Sequence, residues 1–327
     1  MADPGWNRTS SPFHAGELAI QARLGVRDRL DRQGRRVIRP VLPEQHREFY
    51  GALPCVLVGS VDGQGRPWAS VLAGPPGFLA TPDERTLVVA ARPPAGDPLA
   101  ANLRLGAAVG LLGIELATRR RNRINGRVAA LKPEGFTVQV QQTFGNCPQH
   151  IQVRELRQAP ASATPPPVVA LDRLGAAETA LIAAADTFFI ATAVEAPPAS
   201  GMDAARSDDD VLGVDVSHRG GPPGFVQVDD GRTLTIPDFA GNNHFNTLGN
   251  LELNPRAGLL FVDFRRGDLL SLTGTAEVVW DGEEIRRHPG AERLLRFHLE
   301  QGLWLPAALP LRWSEPGPSP EADGPGV

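Results

Sequence analysis

The chain has 327 residues, a length that suits two domains. Hydrophobic residues make up 42% of it, enough for ordinary packed cores and too many for a disordered chain. The net charge of -4 provides no global basic field, so nucleic acid and acidic membrane are not expected partners.

Other features of composition narrow the class. Lys132 is the sole lysine, so nearly all positive charge is arginine. Cys55 and Cys147 are the only cysteines, which makes no secreted disulfide scaffold and fits a reduced cytoplasm. Residues 1–11 are polar and lack an apolar signal core. The most apolar run, 107–116, is too short to span a bilayer and carries Glu115. A soluble, cytoplasmic protein is expected.

In chain order, residues 1–50 read as an N-terminal arm with helices near 17–23 and 43–51. Residues 51–158 read as a first small β-barrel. Its strands are expected at 56–61, 68–72, 86–91, 109–115, 124–130 and 136–142, with the turn Asp62-Gly63-Gln64-Gly65 closing the first hairpin. Residues 159–169 form a stiff Pro-rich linker. Residues 170–313 read as a second barrel, opening on an Ala/Leu-rich helix over 170–185. Strands follow at 187–193, 212–217, 225–228, 234–236, 258–264 and 269–279. A short helix over 244–253 ends at Asn254-Pro255, and another helix is expected over 286–301. The Pro/Gly/Glu-rich tail, 314–327, is expected to be disordered.

The two barrels are one sequence repeated. Gly74-Pro75-Pro76-Gly77-Phe78 recurs as Gly221-Pro222-Pro223-Gly224-Phe225, and Arg85-Thr86-Leu87 as Arg232-Thr233-Leu234, both offset by 147. After one inserted residue, Asn102-Leu103 matches Asn250-Leu251, Gly110-Leu111-Leu112 matches Gly258-Leu259-Leu260, and Gly126 matches Gly274. Chance does not hold register over such a stretch, and the period is too long for a solenoid repeat. Many short strands with one helix per copy suggest a small closed barrel rather than a parallel sheet.

Standard catalytic patterns are missing. There is no GxGxxG, P-loop or HExxH, and Cys147-Pro148-Gln149-His150 is half a metal site at best. Ser217 and His218 are strand neighbours that face opposite ways, so they do not pair with each other. Arg266-Gly267-Asp268 falls on a hairpin turn.

Comparing the copies is more informative. Ser70 aligns with Ser217, whereas Leu72 aligns with Arg219. Ser217 and Arg219 share a strand face ahead of Gly220-Gly221, a set suited to an anion such as phosphate. A second cluster holds Pro237, Asp238, Asn242, Asn243, Asn246 and, a helical turn on, Asn250. Turn and cap chemistry would account for these amides, and so would a heteroaromatic ligand with amide edges. A third, Arg119-Arg120-Arg121-Asn122-Arg123-Ile124-Asn125-Gly126, places Arg121, Arg123 and Asn125 on one strand face after a basic turn. A solvated turn and a nucleic-acid patch are the alternatives, the latter disfavoured because no aromatic residues interleave.

Residues 215–225 and 236–238, the stretch 254–261 and Leu272-Thr273-Gly274-Thr275-Ala276 resemble the pyridoxamine 5'-phosphate oxidase-like FMN-binding split-barrel family. Copy one resembles it through Gly65-Arg66-Pro67-Trp68-Ala69-Ser70 and Phe144-Gly145-Asn146-Cys147-Pro148. The resemblance implies a mainly β fold, two tandem six-stranded split barrels forming an internal pseudo-dimer. It also implies FMN at the seam, with phosphate on Ser217 and Arg219, near Gly221. Pro237, Asp238, Asn242, Asn243, Asn246 and Asn250 would lie along the ribityl chain and ring, and Arg121, Arg123 and Asn125 would reach across from copy one. No metal is implied. Relatives use flavin, a deazaflavin or haem, and the matches do not extend to residues that bind vitamin B6. The first expectation is an FMN-dependent oxidoreductase with a small-molecule substrate and an electron donor. The alternative is a non-catalytic flavin- or haem-binding protein, with His218 or His244 as the haem ligand. Pairing of two chains stays open.

Overall fold

The computed structural model describes residues 5–157, 166–194 and 211–317. The N-terminal arm holds three helices: α1 (Ala15–Arg23), α2 (Arg27–Val37) and α3 (Glu44–Ala52). The sequence reading lacked α2. Its eleven residues are mostly Arg, Asp and Gln, and among them the thin stripe of Leu30, Gly34 and Val37, which packs against Trp6, Phe13 and Phe144, is easily overlooked.

Copy one contributes β1 (Cys55–Val61), β2 (Pro67–Ala73), β3 (Leu79–Asp83), β4 (Thr86–Val89), the helical turn α4 (Leu99–Asn102), β5 (Ala108–Glu115), β6 (Arg120–Lys132) and β7 (Gly135–Gly145). These strands make one antiparallel sheet in the order β2-β1-β5-β6-β7-β4-β3. Every one of the seven supplies apolar side chains to a single cluster, from Val58 and Leu72 through Leu79 and Val89 to Leu111, Ile124 and Val138. The sheet therefore wraps round its own core. The Asp62 carboxylate accepts backbone N–H groups of Gln64 and Arg66 and fixes the β1–β2 turn, in which Gly65 sits at φ +75°.

Two-residue β8 (Leu156–Arg157) ends copy one, and β9 (Val169–Leu171) precedes copy two. Copy two then contributes α5 (Ala176–Ala184), β10 (Thr187–Val194), β11 (Gly213–Gly220), β12 (Gln227–Val228), β13 (Thr233–Phe239), α6 (Asn246–Leu253), β14 (Arg256–Val262), β15 (Leu269–Val279), the turn α7 (Glu283–Arg286), β16 (Ala291–Leu305) and β17 (Arg312–Trp313). The main sheet runs β11-β10-β14-β15-β16-β13-β12, with β9 added on β16. Strand for strand this is the order of copy one. The duplication read from scattered motifs is thus a duplication of topology.

One expected helix is a strand. Residues 286–301 were expected to be helical, yet 291–305 form β16, the longest strand among the described residues. Leu, Glu and Arg favour helices locally. Leu295, Phe297 and Leu299 are buried while His298 and Glu300 are exposed, a period of two. Pairing with β13 on one side and β15 on the other overrides the propensity. Copy one's β7 holds the equivalent place between β4 and β6.

Elsewhere the expected boundaries are adjusted. The linker expected at 159–169 falls partly outside the described residues, and its end, from Val169, is β9. The tail residues Ser314 and Gly317 donate backbone bonds to Glu155 and Val153, so 314–317 are held, while 318–327 lie outside the described residues.

The copies pack through the outer faces of β1, β2 and β5 against those of β10, β11, β14 and β15. Leu57, Val71 and Leu112 there meet Phe189, Val216 and Leu260. Two glycines set the spacing. A Cβ on Gly110 would lie 2.5 Å from the Val214 carbonyl oxygen, and one on Gly258 would lie 2.4 Å from that of Pro67. Gly110 and Gly258 are repeat equivalents, and so are Pro67 and Val214. Each copy thus presents the same surface to the other, the signature of a two-fold interface. A second close approach ties the arm down: a Cβ on Gly16 of α1 would lie 2.0 Å from the Gly249 carbonyl oxygen of α6. Glycine to alanine at either Gly110 or Gly258 should force the sheets apart and cost about 1–3 kcal/mol. Denaturant unfolding of the two single variants checks this, with similar losses expected at both positions.

Candidate functional site

Across this interface β6 of copy one faces the edge strand β11 of copy two. Arg123 on β6 places Nη1 2.7 Å from Asp215 Oδ1 and donates to Oδ2 at 2.8 Å, with both side chains about 95% buried. The same nitrogen donates to Asn246 Oδ1 at 2.9 Å, while Nη2 donates to Ser217 Oγ. Thr247 Oγ1 also donates to Ser217, at 3.1 Å, and the Phe144 ring lies 5.3 Å from the guanidinium carbon. Burial lowers the Arg123 pKa, and Asp215 opposes it. This network is the floor of a cleft at the seam.

The cleft encloses about 840 Å3, counting its open mouth. β11 ends its sheet, so the cleft reaches round the strand's edge and is lined by Ser217, His218 and Arg219 together. Arg219 is ion-paired with Asp238, and Arg293 of β16 places Nε 3.2 Å from the other oxygen of that carboxylate. Arg121 differs. No carboxylate lies within ion-pair distance of it among the described residues, and its Nη1 is 3.3 Å from His218 Nδ1. Arginine only donates, so Nδ1 accepts and the imidazole proton sits on Nε2. Burial first, then Arg121, His150 and Arg219, hold the His218 pKa well below its ordinary value, so the ring is neutral. Burial and the neighbouring Arg123 push the Arg121 pKa down to about 10.

Unmet donors mark what the cleft would take. Arg121 Nε, Arg219 Nε, Arg293 Nη1 and His218 Nε2 are all buried without a hydrogen-bond partner. A buried donor left unsatisfied costs about 1–3 kcal/mol, more when charged. All four belong to side chains that line the cleft, and an oxyanion is the acceptor with which such N–H groups pair most strongly.

The sequence-selected residues divide. Ser217, Arg219, Pro237, Asp238, Asn242, Asn243, Asn246, Arg121 and Arg123 all line the cleft. Ser217 is engaged with Arg123, Thr247 and, at 3.4 Å, Asp215, so its hydroxyl belongs to the floor. Three residues do not line it. The Gly221 N–H donates to the Asp186 carbonyl at 3.0 Å, and the Phe225 ring fills the space beside it. Asn250 accepts from His14 Nε2 and donates to Thr192 Oγ1, both at 2.9 Å, which anchors α1 instead. Asn125 lies two residues beyond Arg123, which carries it roughly 7 Å further along the strand. Arg293, hidden in the supposed helix, was missed, and the copy-one residues Asn146, Gln149 and His150, noted only in the family resemblance and as half a metal site, also line the cleft. Duplication held a signal for Arg293, because an equivalent of β7 had to exist.

The pseudo-symmetric seam is different. Arg121, Arg123 and Arg219 correspond to Leu269, Ser271 and Leu72. Leu72 is fully buried in copy one's core. Ser271 Oγ and Thr273 Oγ1 bond directly to the Ala69 and Pro67 carbonyls at 3.3 and 2.9 Å, which draws β15 against β2. Long charged side chains hold one seam open, and short hydroxyls close the other.

The sequence matches the pyridoxamine 5'-phosphate oxidase family over residues 42–171 and again over 175–308. The chain belongs to that family. Its architecture is accordingly two tandem split-barrel domains, mainly β. Among solved structures it is similar to HupZ from Group A Streptococcus, with 16% identity, 40% of this chain and 99% of that one covered, and a TM-score of 0.29. A Clostridium acetobutylicum protein related to general stress protein 26 gives 13%, 42%, 92% and 0.26. An FAD-binding protein from Mesorhizobium loti gives 15%, 42%, 97% and 0.25. Comparison with curated proteins finds no match. No helix among the described residues is long and apolar enough to cross a membrane.

Two outcomes test the floor. Asp215→Asn leaves Arg123 buried without a counter-charge and should cost about 3–5 kcal/mol in denaturant unfolding. His244 lies beneath the floor between the Phe13 and Phe144 rings, with centroids 5.5 and 5.8 Å away and neither ring nitrogen partnered. Burial, then Arg123, lowers its pKa from 6.5 to about 4. The folded state therefore favours the neutral ring, and its contribution is whole above pH 6.5 and lost as pH falls toward about 4. His244→Phe should raise stability by about 1 kcal/mol at neutral pH by removing the unpartnered nitrogens. Its margin over wild type should widen from pH 6.5 to 4 in melting curves.

Proposed function

We propose that the chain is an FMN-dependent oxidoreductase with the cofactor in the seam cleft. The observation that carries this reading is the set of buried arginine and imidazole N–H groups with no partner around one cleft. Arg121, Arg219 and His218 Nε2 would hold the phosphate, with Arg121 the guanidinium that has no carboxylate partner among the described residues. Arg123 would act from below, fixed by Asp215 and positioning Ser217 and Asn246. Asn242 and Asn243 offer amide groups, and Phe239 and Phe245 offer apolar walls, the mixture a flat heteroaromatic ring with polar edges requires. When bound, flavin supplies the hydride or electron transfer, and the protein positions and tunes it. Membership of the family supports flavin as a class, and the cation cluster of the cleft would meet the single phosphate of the mononucleotide.

The visible spectrum of the purified or reconstituted protein tests the reading. Flavin bands in the blue and near-ultraviolet are expected, with FMN identified by chromatography of the released cofactor. A Soret band would instead favour the haem-binding alternative, with His218 or His244 as the candidate ligand. Arg121→Leu and Arg219→Leu should each weaken FMN binding at least tenfold, about 1.4 kcal/mol. Unchanged affinity in both, measured by flavin fluorescence titration, would refute the placement. Reduction of the bound flavin by a nicotinamide cofactor would identify an enzyme rather than a carrier.

A further inference from the structure

The arginine-rich turn of copy one is only partly used by the cleft. Arg121 faces the cleft, but Arg119 and Arg120 do not line it. They line a second pocket, outside the seam, enclosing about 770 Å3 with its open mouth. That pocket is walled by Arg119, Arg120, Arg121 and Asn122 on one side, with His46 and Phe49 of α3 opposite. Arg121 and Asn146 border both spaces, so the pocket and the cleft are neighbours across a single guanidinium.

Three features give this pocket the chemistry of an anion site. It holds three arginines, and no carboxylate among the described residues lines it. Asn122 is 4% exposed, lines the pocket, and has an Nδ2 amide with no partner. Its Oδ1 accepts from Thr143 Oγ1 at 3.1 Å, and Thr143 Oγ1 lies 3.2 Å from His46 Nδ1, which fixes the amide with its donor end unmet. Finally, Arg119 adopts φ +59°, in the left-handed region. The repeat equivalent is Gly267, at φ +74°. Copy two thus fills this turn position with the residue the backbone favours, whereas copy one places a long cation there against that preference. Phe49 adds an apolar wall, with the Arg120 guanidinium stacked 5.1 Å from its ring.

We propose that this pocket binds a small aromatic oxyanion, a carboxylate or a phosphate ester, and holds it beside the seam cleft as the second ligand of the protein. The role as substrate pocket rests on the flavin reading above. Anion binding by the pocket itself does not.

The test uses the full chain, flavin-free and FMN-saturated, titrated calorimetrically with benzoate and with phenyl phosphate, and with benzyl alcohol as a neutral control. Arg119→Gly removes a guanidinium while giving the turn the residue its backbone favours, so folding is retained. It is combined with Arg120→Gln, and a melting curve confirms the fold. Benzoate or phenyl phosphate is expected to bind wild type at least tenfold more tightly than the double variant, and more tightly than benzyl alcohol binds wild type. The tighter of the two anions identifies the oxyanion. FMN affinity should stay within twofold in the double variant. Equal anion binding by wild type and variant would overturn the proposal, as would benzyl alcohol binding as well as the anions. A parallel fall in FMN affinity would also overturn it, by assigning the two arginines to the cofactor. A chain that takes no FMN would sink the flavin reading alone, since the flavin-free titrations decide the pocket separately.

Discussion

The buried ion pair between Arg123 and Asp215 is the interaction on which the site depends. It joins one copy to the other where water is excluded, and the same guanidinium reaches Ser217 and Asn246. An isolated charge at that depth would be strongly unfavourable, so each partner requires the other. Its role is geometric. It sets β6 at a fixed separation from β11 and leaves room above for Arg121, Arg219 and His218. On the opposite seam the equivalent of Arg123 is Ser271, whose hydroxyl reaches only as far as a neighbouring carbonyl. The two interfaces share a backbone plan, and the length of the side chains on one strand decides which is open.

The N-terminal arm completes this arrangement from outside. α1 crosses α6 at two glycines, and Glu17 of α1 accepts from Asn246, one of the residues that Arg123 holds. Burial raises the Glu17 pKa, opposed by His14 and by the bond from Asn246. A segment preceding both barrels therefore sets the position of a helix in the second. Asn250, which by sequence could equally have faced a ligand, serves this docking instead.

Much of the fold was legible because a duplicated sequence can be read twice. Gly110 and Gly258 stood out only as repeat equivalents, while Leu72 against Arg219 marked the chemical difference between the copies before any geometry was known. Where reading failed, local preference disagreed with distant pairing. The run containing Leu294, Leu295 and Phe297 is rich in helix formers, and only its neighbours β13 and β15 make it a strand. Arg293 was lost with it. α2 was missed for another reason, since its stripe of Val26, Leu30 and Val37 is thin in a run that is otherwise almost wholly charged. Within the site, the spacing of two along a strand showed that Ser217 and Arg219 share a face. It did not show that Ser217 would be engaged by Arg123, because that partner comes from a strand ninety-odd residues earlier.

Joining both halves in one chain has a consequence for how the seam forms. Two separate barrels would assemble by collision, and their cleft would come apart on dilution. Here the connection makes closure intramolecular, so the local concentration of one half around the other is set by the chain itself. The cleft should persist at any protein concentration, and ligand occupancy should follow a simple one-to-one isotherm rather than one coupled to assembly. It also frees each seam to change alone. In a homodimer an arginine introduced at position 219 would appear twice, facing both seams. In this chain it appears once, and the unmodified seam can go on serving purely as glue.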